Sequence, residues 1–322
     1  MVKSNSQHHP VSTGSPSNPH PDARYIDHWY AYFLRKYNSI DLTLGGALVI
    51  HTATYWGVGL SLLAFEKVLP SIALRYKTQP RKIVRWTEIL KLLKRVVVNQ
   101  LLLLVSFLAV SKLRPKFLID DLDKKVNRTP PSYLRIAADY VFNLGVFEIV
   151  FYCFHRALHD LRWYKYIHKI HHEFKAPIAL AAEYAHIVEL ILSNIVPGAI
   201  GPASTNAHPV STWVWLFGSL VQTLFHHSGL MLPFYPLNQW TIDHDFHHAS
   251  FQNQFGVVGM MDTALKTTGG EPYNQFSNDI WQRMTTVASV AGSAIVRSAT
   301  AAIRRRSSSS RMPSQLFQTV VR

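Results

Sequence analysis

Long apolar segments separated by short polar or basic stretches dominate the pattern of this chain. They lie at residues 41–69, 96–113, 133–154, 176–202 and 210–225. A helix needs about 20 apolar residues to cross a bilayer. Charged residues interrupt the third and fourth segments, and acidic side chains in such segments usually face a protein interior or a polar site. The pattern predicts an all-α fold, a multi-span integral membrane helical bundle with about four to five membrane segments.

Polar stretches flank the apolar part at both ends. Residues 1–22 are rich in Ser, Pro, His and Asn and lack the apolar core of a signal peptide, which predicts a disordered cytosolic tail. Residues 23–130 hold the first two apolar segments and form a predicted N-terminal membrane hairpin region. Residues 131–270 hold the histidine-rich remainder. Residues 271–322 form a predicted basic C-terminal tail, either a surface helix with a disordered end or a solvated segment.

Basic residues lie at both ends of the second apolar segment. Arg114 and Lys116 follow it. Positive charge at both ends means that the positive-inside rule gives no orientation, and a re-entrant hairpin remains an alternative to two separate spans. The basic residues that precede the segment are Arg75, Lys77, Arg81, Lys82, Arg85, Lys91, Lys94 and Arg95.

Composition narrows the class of protein. Hydrophobic residues make up 48% of the chain and charged residues 16%, below the roughly one quarter that is usual in soluble domains. The net charge of +14 suits nucleic acid or an anionic membrane leaflet. No zinc finger, basic heptad region or RNA-binding motif occurs, which favours the membrane and argues against nucleic acid. The single cysteine, Cys153, excludes an internal disulfide framework and a cysteine-based zinc or iron–sulfur site.

Histidines recur at fixed spacings near the ends of the apolar segments. The first two are four residues apart and would share one face of a helix. Two further boxes have the identical spacing HxxHH. Neutral imidazole is the commonest metal ligand among side chains. The predicted metal ligands are His155, His159, His168, His171, His172, His244, His247 and His248, with His186 and His227 as further candidates.

The number of histidines predicts more than one metal. Eight histidines exceed the four ligands of one tetrahedral zinc, so two neighbouring metals would use them. Imidazoles that leave coordination positions open suit iron and oxygen chemistry, and zinc has no redox cycle. The boxes are expected to form a histidine-rich metal-site cap on the cytosolic face of the bundle. Carboxylates should orient the ligating imidazoles, and the nearest in sequence are Glu183, Asp243, Asp245 and Asp262.

At these residues the chain resembles the fatty acid hydroxylase/sterol desaturase superfamily, membrane enzymes that carry HxxxH, HxxHH and HxxHH boxes. The resemblance covers residues 130–268 and makes residues 131–270 a fatty acid hydroxylase-like catalytic domain. Within the superfamily the chain is most similar to the C4-methylsterol oxidases. The matching segments are HRALH, YKYIHKIHHEFKAP, AAEYAH followed by Glu189, GPA, HSG and HDFHH.

Several positions depart from the residues that are usual in this family. The histidine boxes are retained, while segments expected to face the substrate or close the domain have changed. The departures therefore concern the substrate more than the chemistry. They are Ile187 for proline, Leu230 and Met231 for Tyr-Asp, Asp243 for histidine, Met261 for tryptophan and Lys266 for glycine.

The resemblance implies a mixed-function oxidase of the endoplasmic reticulum membrane, multi-pass, with its active site facing the cytosol. It implies a di-iron centre that uses O2 and electrons from NAD(P)H, delivered by cytochrome b5 and its reductase. The implied substrate is a sterol, oxidised at the C4-methyl group. A basic cytosolic surface would suit docking of an acidic electron donor.

Other functions remain open at this point. The chain would alternatively be a hydroxylase or desaturase of another lipid, such as a sphingoid base, a fatty acyl chain or a terpenoid. A membrane metal-binding or transport protein would use the same histidines, but it should carry ionisable residues through several spans. The boxes instead cluster at the span ends and beyond. An intramembrane zinc protease is disfavoured because Arg156 stands where HExxH requires glutamate.

Overall fold

The computed structural model describes residues 23–233, 235–287 and 289. These residues form helices and one isolated β-bridge, and no strand occurs among them. The all-α prediction is confirmed. The helices are α1 (Ala23–Lys36), α2 (Gly46–Val68), α3 (Pro70–Tyr76), α4 (Trp86–Leu113), α5 (Lys116–Val126), α6 (Tyr133–Leu158), α7 (Leu161–Tyr164), α8 (Ile187–Glu189), α9 (Val196–Ser204), α10 (Pro209–Ser228), α11 (Asn238–Ser250) and α12 (Met260–Ala264).

Shorter helical segments join these elements. Two π-helical segments, Asp41–Gly45 and Leu190–Ile195, precede α2 and α9, and two 3₁₀ helices are His168–Glu173 and Ala179–Glu183. Residues 270–287 are also helical. The tail predicted at residues 1–22 lies outside the described residues, as does residue 290 onwards of the predicted C-terminal tail.

Four helical segments among the described residues are long and apolar enough to cross a membrane. They are Asp41–Val68, Trp86–Leu113, Tyr133–Leu158 and Ile187–Ser204. The predicted multi-span membrane bundle is therefore confirmed. The first two spans are separate helices, α2 and α4, joined through α3 and the basic linker.

The fifth predicted segment, residues 210–225, differs from these four. It lies in α10, which packs against α2, α6, α9 and α11 and is not among the helices that meet the membrane criteria. Ser, Thr, Gln and His side chains lower its hydropathy. Its residues Trp215, Leu220 and Leu224 are buried against other helices. The helix is apolar because it forms the centre of the bundle.

The helices place the histidines at one end of the bundle. A Cβ at Gly46 would meet the Trp213 ring at 2.9 Å, and a Cβ at Gly59 would lie 3.5 Å from the Leu224 side chain. Helices α2 and α10 therefore run parallel and pack closely. Helix α4 runs the opposite way, since its first turns lie beside Glu173. The ends of α2, α6 and α10 and the start of α4 form one end of the bundle, called here the histidine end.

A mostly buried segment without an α-helix, residues 174–186, enters the bundle between α2 and α4. Irregular backbone at membrane depth is tolerated only where the protein satisfies its polar groups. The Tyr55 hydroxyl donates to the carbonyl of Leu180 at 2.6 Å, and the Asn99 amide lies 3.2 Å from the carbonyls of Glu183 and Ala185. The fourth predicted apolar segment therefore begins as this loop, and the helical span starts only at residue 187.

His51, an isolated histidine in the first span, lies against this loop. Its Nε2 is 2.7 Å from the Glu183 carboxylate, and Gln100 donates to the other oxygen of Glu183 at 3.0 Å. Both members of the ion pair are inside the bundle, with Glu183 only 4% exposed. A charge buried at this depth needs such a partner.

The helix at residues 270–287 packs on α11. Its Ile280 joins a small core with Met231 and Ile242. Arg283 donates to the carbonyl of Lys77 at 2.6 Å. The packed part of the chain thus continues beyond residue 270.

The opposite end of the bundle contains the start of α10. His208 is the N-cap of this helix, and its Nδ1 accepts the Val210 N–H at 3.1 Å. The ring also lies 4.8 Å from that of Tyr30. Capping requires a free lone pair on Nδ1, so neutral imidazole is the capping form.

We expect His208→Ala to lower the free energy of unfolding by about 1 kcal/mol, whereas His208→Asn, which retains a capping oxygen, should cost less. Burial lowers the pKa of His208 to about 4, below the value of about 6.5 in an unfolded chain. The unfolded state therefore binds the proton first, and the stability lost by acidification below pH 6.5 should be smaller in His208→Asn. Thermal unfolding in detergent from pH 7 to pH 4 measures both effects, and equal melting curves for the two variants would contradict the capping role.

Candidate metal centre

Four parts of the fold deliver histidines to one region at the histidine end. His155 lies in the last turn of α6 and His159 caps that helix, so the four-residue spacing places both on one face. His227 comes from the last turn of α10. The second box lies in the 3₁₀ helix His168–Glu173, and the third box lies on α11.

Nine of the ten predicted histidines converge in two groups. Within each group, one nitrogen from every ring lies within 4.8 Å of the others. All nine are buried except His159, which is half-buried. Group one is His155, His159, His168, His172 and His247, and group two is His171, His227, His244 and His248.

Each HxxHH box contributes to both groups. In the second box, His168 and His172 point into group one and His171 into group two. In the third box the assignment is reversed, because His247 joins group one while His244 and His248 join group two. The outer pair of each box therefore serves one group, and the middle histidine serves the other. The two groups consequently lie side by side.

In several of the rings Nδ1 faces away from the group, and the hydrogen bond that it makes there determines the tautomer of the ring. Carbonyl oxygens only accept hydrogen bonds, so Nδ1–H of His155 donates to Phe255 at 2.7 Å and Nδ1–H of His247 donates to Asn253 at 2.7 Å. In group two, Nδ1–H of His227 donates to the Thr223 carbonyl at 2.8 Å and Nδ1 of His171 faces the Tyr184 carbonyl at 3.3 Å. In a neutral ring whose Nδ1 carries the proton, Nε2 has a free lone pair.

These lone pairs face each other at short range. The Nε2 atoms of His155 and His168 are 3.1 Å apart, and those of His171 and His227 are 3.3 Å apart. Burial, followed by the neighbouring imidazoles, lowers the pKa of His168 well below its usual range, and burial lowers the pKa of His171 to about 4. The rings are therefore neutral near pH 7. Converging neutral lone pairs repel unless a cation lies between them, so the donor set fits a metal ion in each group.

Comparisons with known proteins agree with this geometry. The sequence profile described as fatty acid hydroxylase matches residues 140–267. Methylsterol monooxygenase 1 of Danio rerio is 30% identical over 255 residues, which is 76% of this chain and 84% of that protein. The chain belongs to the fatty acid hydroxylase family. The resemblance inferred from the histidine boxes is thereby confirmed.

Other members of the family are similar over a smaller part of their length. Fatty acid hydroxylase ahd1 of Mycosarcoma maydis is 34% identical over 221 residues, covering 68% of this chain and 56% of that protein. Fatty acid hydroxylase domain-containing protein 2 of Homo sapiens is 33% identical over 220 residues, covering 67% of this chain and 64% of that protein. The chain thus spans less than two thirds of these two relatives. No solved structure matches it.

His186, the tenth predicted ligand, is not brought to either group of this fatty acid hydroxylase domain. It is the N-cap of α8, where its Nδ1 accepts the Val188 N–H at 3.2 Å. The short α8 turns the chain away from the histidine groups at this residue. The spacing of the histidines could not predict this position, because His186 is not part of any of the three histidine boxes.

The carboxylate that contacts a clustered histidine is Glu189. Its Oε1 lies 2.7 Å from Nδ1 of His168, and Glu189 is 3% exposed. None of the four predicted carboxylates makes a described hydrogen bond to a clustered ring. Their partners are His51 for Glu183, Tyr273 and Gln239 for Asp243, Gln79 for Asp245, and backbone N–H groups of residues 255 and 256 for Asp262.

A tight loop after α11 accepts hydrogen bonds from the Nδ1 atoms of two of the clustered histidines. It supplies the carbonyls of Asn253 and Phe255 that accept from His247 and His155. The buried Glu148 of α6 accepts three backbone N–H groups of this loop, from Val257 at 2.6 Å, Val258 at 2.9 Å and Met261 at 3.0 Å. A glutamate within an apolar span is thus fully used in fixing the loop beneath group one.

We expect Glu189→Ala to weaken metal binding in group one by roughly 10–100-fold, because His168 loses the acceptor that fixes its tautomer. Glu189→Gln keeps an acceptor oxygen and should lose less. Titration of the purified protein with a chelator, followed by metal analysis, measures the loss. The metal of group two should be retained, and equal loss from both groups would contradict the assignment of Glu189 to His168.

A small cavity adjoins both histidine groups. Its volume is about 40 Å³, and its walls include His155 and His168 from group one and His171 and His227 from group two. The ring of Phe147 closes part of the apolar side. The cavity lies between α6, the π-helical segment Leu190–Ile195 and α10, and residues of the two 3₁₀ helices, α11 and the loop after α11 complete its wall.

Proposed function

We propose that this chain is a membrane-bound di-iron oxygenase that oxidises a sterol, at the C4-methyl group. The observation that carries the proposal is the pair of adjacent imidazole groups with free lone pairs facing inward. Five and four nitrogen donors side by side exceed what one tetrahedral zinc uses. Imidazole donors suit iron, and the relatives in the fatty acid hydroxylase family favour iron over the other metals that imidazole binds.

Each iron would be held by one group, with His186 left out of the set. Iron bound there supplies the activation of O2 and the oxidation of an unactivated C–H bond. The protein contributes the arrangement around it. The carbonyls of Asn253 and Phe255 and the carboxylate of Glu189 fix the ring orientations, and the buried cavity keeps bulk water away from the reacting carbon.

The sterol substrate is supported by the relatives named methylsterol monooxygenase, which match most of their own length. A cavity between membrane helices also suits a substrate that is dissolved in the bilayer. We place the protein in the endoplasmic reticulum membrane, with the histidine end in the cytosol.

Electrons from NAD(P)H would arrive through cytochrome b5 and its reductase. The segment that carries the first two histidine boxes is basic on its outer surface. An acidic carrier would be attracted to such a surface and would dock close to the half-buried His159. The exposed basic residues are Arg156, Arg162, Lys165, Lys169 and Lys175.

The alternative within the same chemistry is oxidation of another lipid, such as a sphingoid base, fatty acyl chain or terpenoid. This alternative is supported by the relative named fatty acid hydroxylase. A metal transporter is less well supported, since ionisable residues in the spans are engaged by the protein: Glu183 holds His51, Arg135 holds Asp139, and backbone N–H groups hold Glu148.

Product analysis separates these functions. The chain is expressed in a host that lacks its own C4-methylsterol oxidase and is fed 4,4-dimethylsterols and sphingoid bases. We expect 4,4-dimethylsterols to be consumed, with oxidised C4 products, and sphingoid bases to be unchanged. Hydroxylated sphingoids with intact sterols would instead identify the alternative substrate class.

A further inference from the structure

The cavity beside the histidine groups contains polar atoms that the described part of the protein leaves without a partner. Ser193 Oγ, His226 Nε2 and Glu189 Oε2 have no hydrogen-bond partner among the described residues. Each of the three residues is 3% exposed and lines the cavity. Buried polar groups in proteins are nearly always hydrogen-bonded, so three in one small cavity point to a ligand that binds there.

Within the described part of the chain, Ser193, like Ser211 and Ser250, lacks the hydrogen bond that several other helical serines make, and of these three it is the one that lines the cavity. A serine in an apolar helix normally donates to a carbonyl of its own helix. Ser61, Ser106 and Ser219 do so, at 2.6, 2.8 and 3.2 Å. Ser193 lies in the π-helical segment Leu190–Ile195, and its hydroxyl faces the cavity without such a bond.

His226 is also buried in this region and belongs to neither group. Its ring lies 6.3 Å from that of His244 and 6.0 Å from that of Trp240. It precedes His227 on α10, so the helix turns its ring away from group two and along the cavity wall. Its Nε2 is therefore available to a ligand in the cavity.

The chemistry of the cavity indicates that the part of the ligand bound inside it is small and uncharged. Among the described residues no Lys or Arg lines the cavity, and the Glu189 side chain does, which disfavours a phosphate or a carboxylate group. A cavity volume of about 40 Å³ has room for roughly three water molecules. A hydroxyl fits this space, and it both donates and accepts hydrogen bonds.

We infer that the cavity binds a lipid hydroxyl two carbons away from the carbon that is oxidised, with Ser193 and His226 as the residues that recognise it. The inference rests on the proposed function and narrows its substrate. In a C4-methylsterol the hydroxyl is on the ring carbon next to the one that carries the methyl group. A hydroxyl bound here would therefore hold the methyl group against both histidine groups. Specificity would then come from this hydroxyl and not from the length of the lipid.

Anaerobic binding of a tritiated 4,4-dimethylsterol and of its 3-deoxy analogue to the purified, iron-loaded full chain tests the inference. We expect the wild type to bind the hydroxysterol roughly tenfold more tightly than the deoxysterol. In Ser193→Ala combined with His226→Phe this preference should fall to about twofold, while binding of the deoxysterol changes little. His226→Gln keeps a polar nitrogen near Nε2 and should retain part of the preference.

Ser219→Ala is the matched control, because that hydroxyl is used within α10, and it should keep the full preference. The iron content of all variants should equal that of the wild type, which separates hydroxyl recognition from metal binding. A wild type without preference, or a double variant that keeps it, would overturn the inference, as would loss of iron in His226→Gln. An aerobic assay of the wild type with the same two sterols separates the two claims. Oxidation of both sterols at equal rates would overturn the inference alone, whereas oxidation of neither sterol would overturn the proposed function together with it.

Discussion

His247→Ala and His171→Ala are each expected to reduce oxygen-dependent product formation below detection. The two residues belong to different groups, His247 to group one and His171 to group two. If the chemistry needs both metals, loss of either group removes it completely, because residues that act as one unit are not additive. The measurement is the amount of oxidised sterol formed by membranes that contain equal amounts of each variant.

Membrane insertion must remain intact for this result to have meaning. The spans contain neither residue, so carbonate-resistant membrane association should be unchanged in both variants. His186→Asn is the matched control: His186 lies in neither group, and asparagine preserves its capping role on α8. The control should keep its activity. Turnover in His247→Ala or His171→Ala would show that the corresponding group is dispensable.

Glu148→Gln is expected to lower the free energy of unfolding by about 3–5 kcal/mol, because three backbone N–H groups lose a charged acceptor. The amide offers one acceptor oxygen and turns a donor toward N–H groups. Since the loop also positions the carbonyls behind His155 and His247, group one should lose its metal as well. Thermal unfolding in detergent and metal analysis measure the two effects.

Two further variants make this prediction specific. Gly256→Ala disturbs the same contact sterically, since a Cβ there would lie 2.5 Å from Glu148 Oε1, and it should produce the same pair of effects. Glu271→Gln changes an exposed glutamate and should alter neither stability nor metal content. If Glu148→Gln unfolds like the wild type, the loop is held by other contacts and Glu148 is not its anchor.

The convergence of the histidine boxes could be predicted because each box is a local pattern. Spacings of three and four residues place imidazoles on one side of a helical turn. The assignment of His171 and His247 to the group opposite their box neighbours could not be predicted. That assignment depends on how the 3₁₀ helix meets α11, which is a tertiary contact between residues about 75 positions apart.

Carboxylates were harder to predict than histidines. Asp243 and Asp245 are adjacent in sequence to His244, but the turn of α11 directs them to Tyr273 and Gln79. Glu189 reaches His168 across 21 residues of irregular chain. Sequence proximity indicates the orientation of a side chain only within a regular element, and the loop before α8 is not regular.

The membrane segments were predicted by apolar length, which measures burial without distinguishing lipid from protein. Helix α10 illustrates the limit: most of its apolar residues contact neighbouring helices, so it has the composition of a core helix. The buried loop at residues 174–186 illustrates the converse. This apolar run does not form a membrane-spanning helix. Tyr55 and Asn99, on adjacent helices, donate hydrogen bonds to its backbone carbonyls instead.

The most direct test of the account is the iron content per chain of the wild type, His247→Ala and His171→Ala, purified anaerobically and analysed by mass spectrometry. Two histidine groups that each hold one iron predict about two irons in the wild type and about one in each variant. The iron retained in His247→Ala should be that of group two, and the iron retained in His171→Ala that of group one. A wild type with one iron or none, or variants that keep both irons, would contradict the assignment of one iron to each histidine group.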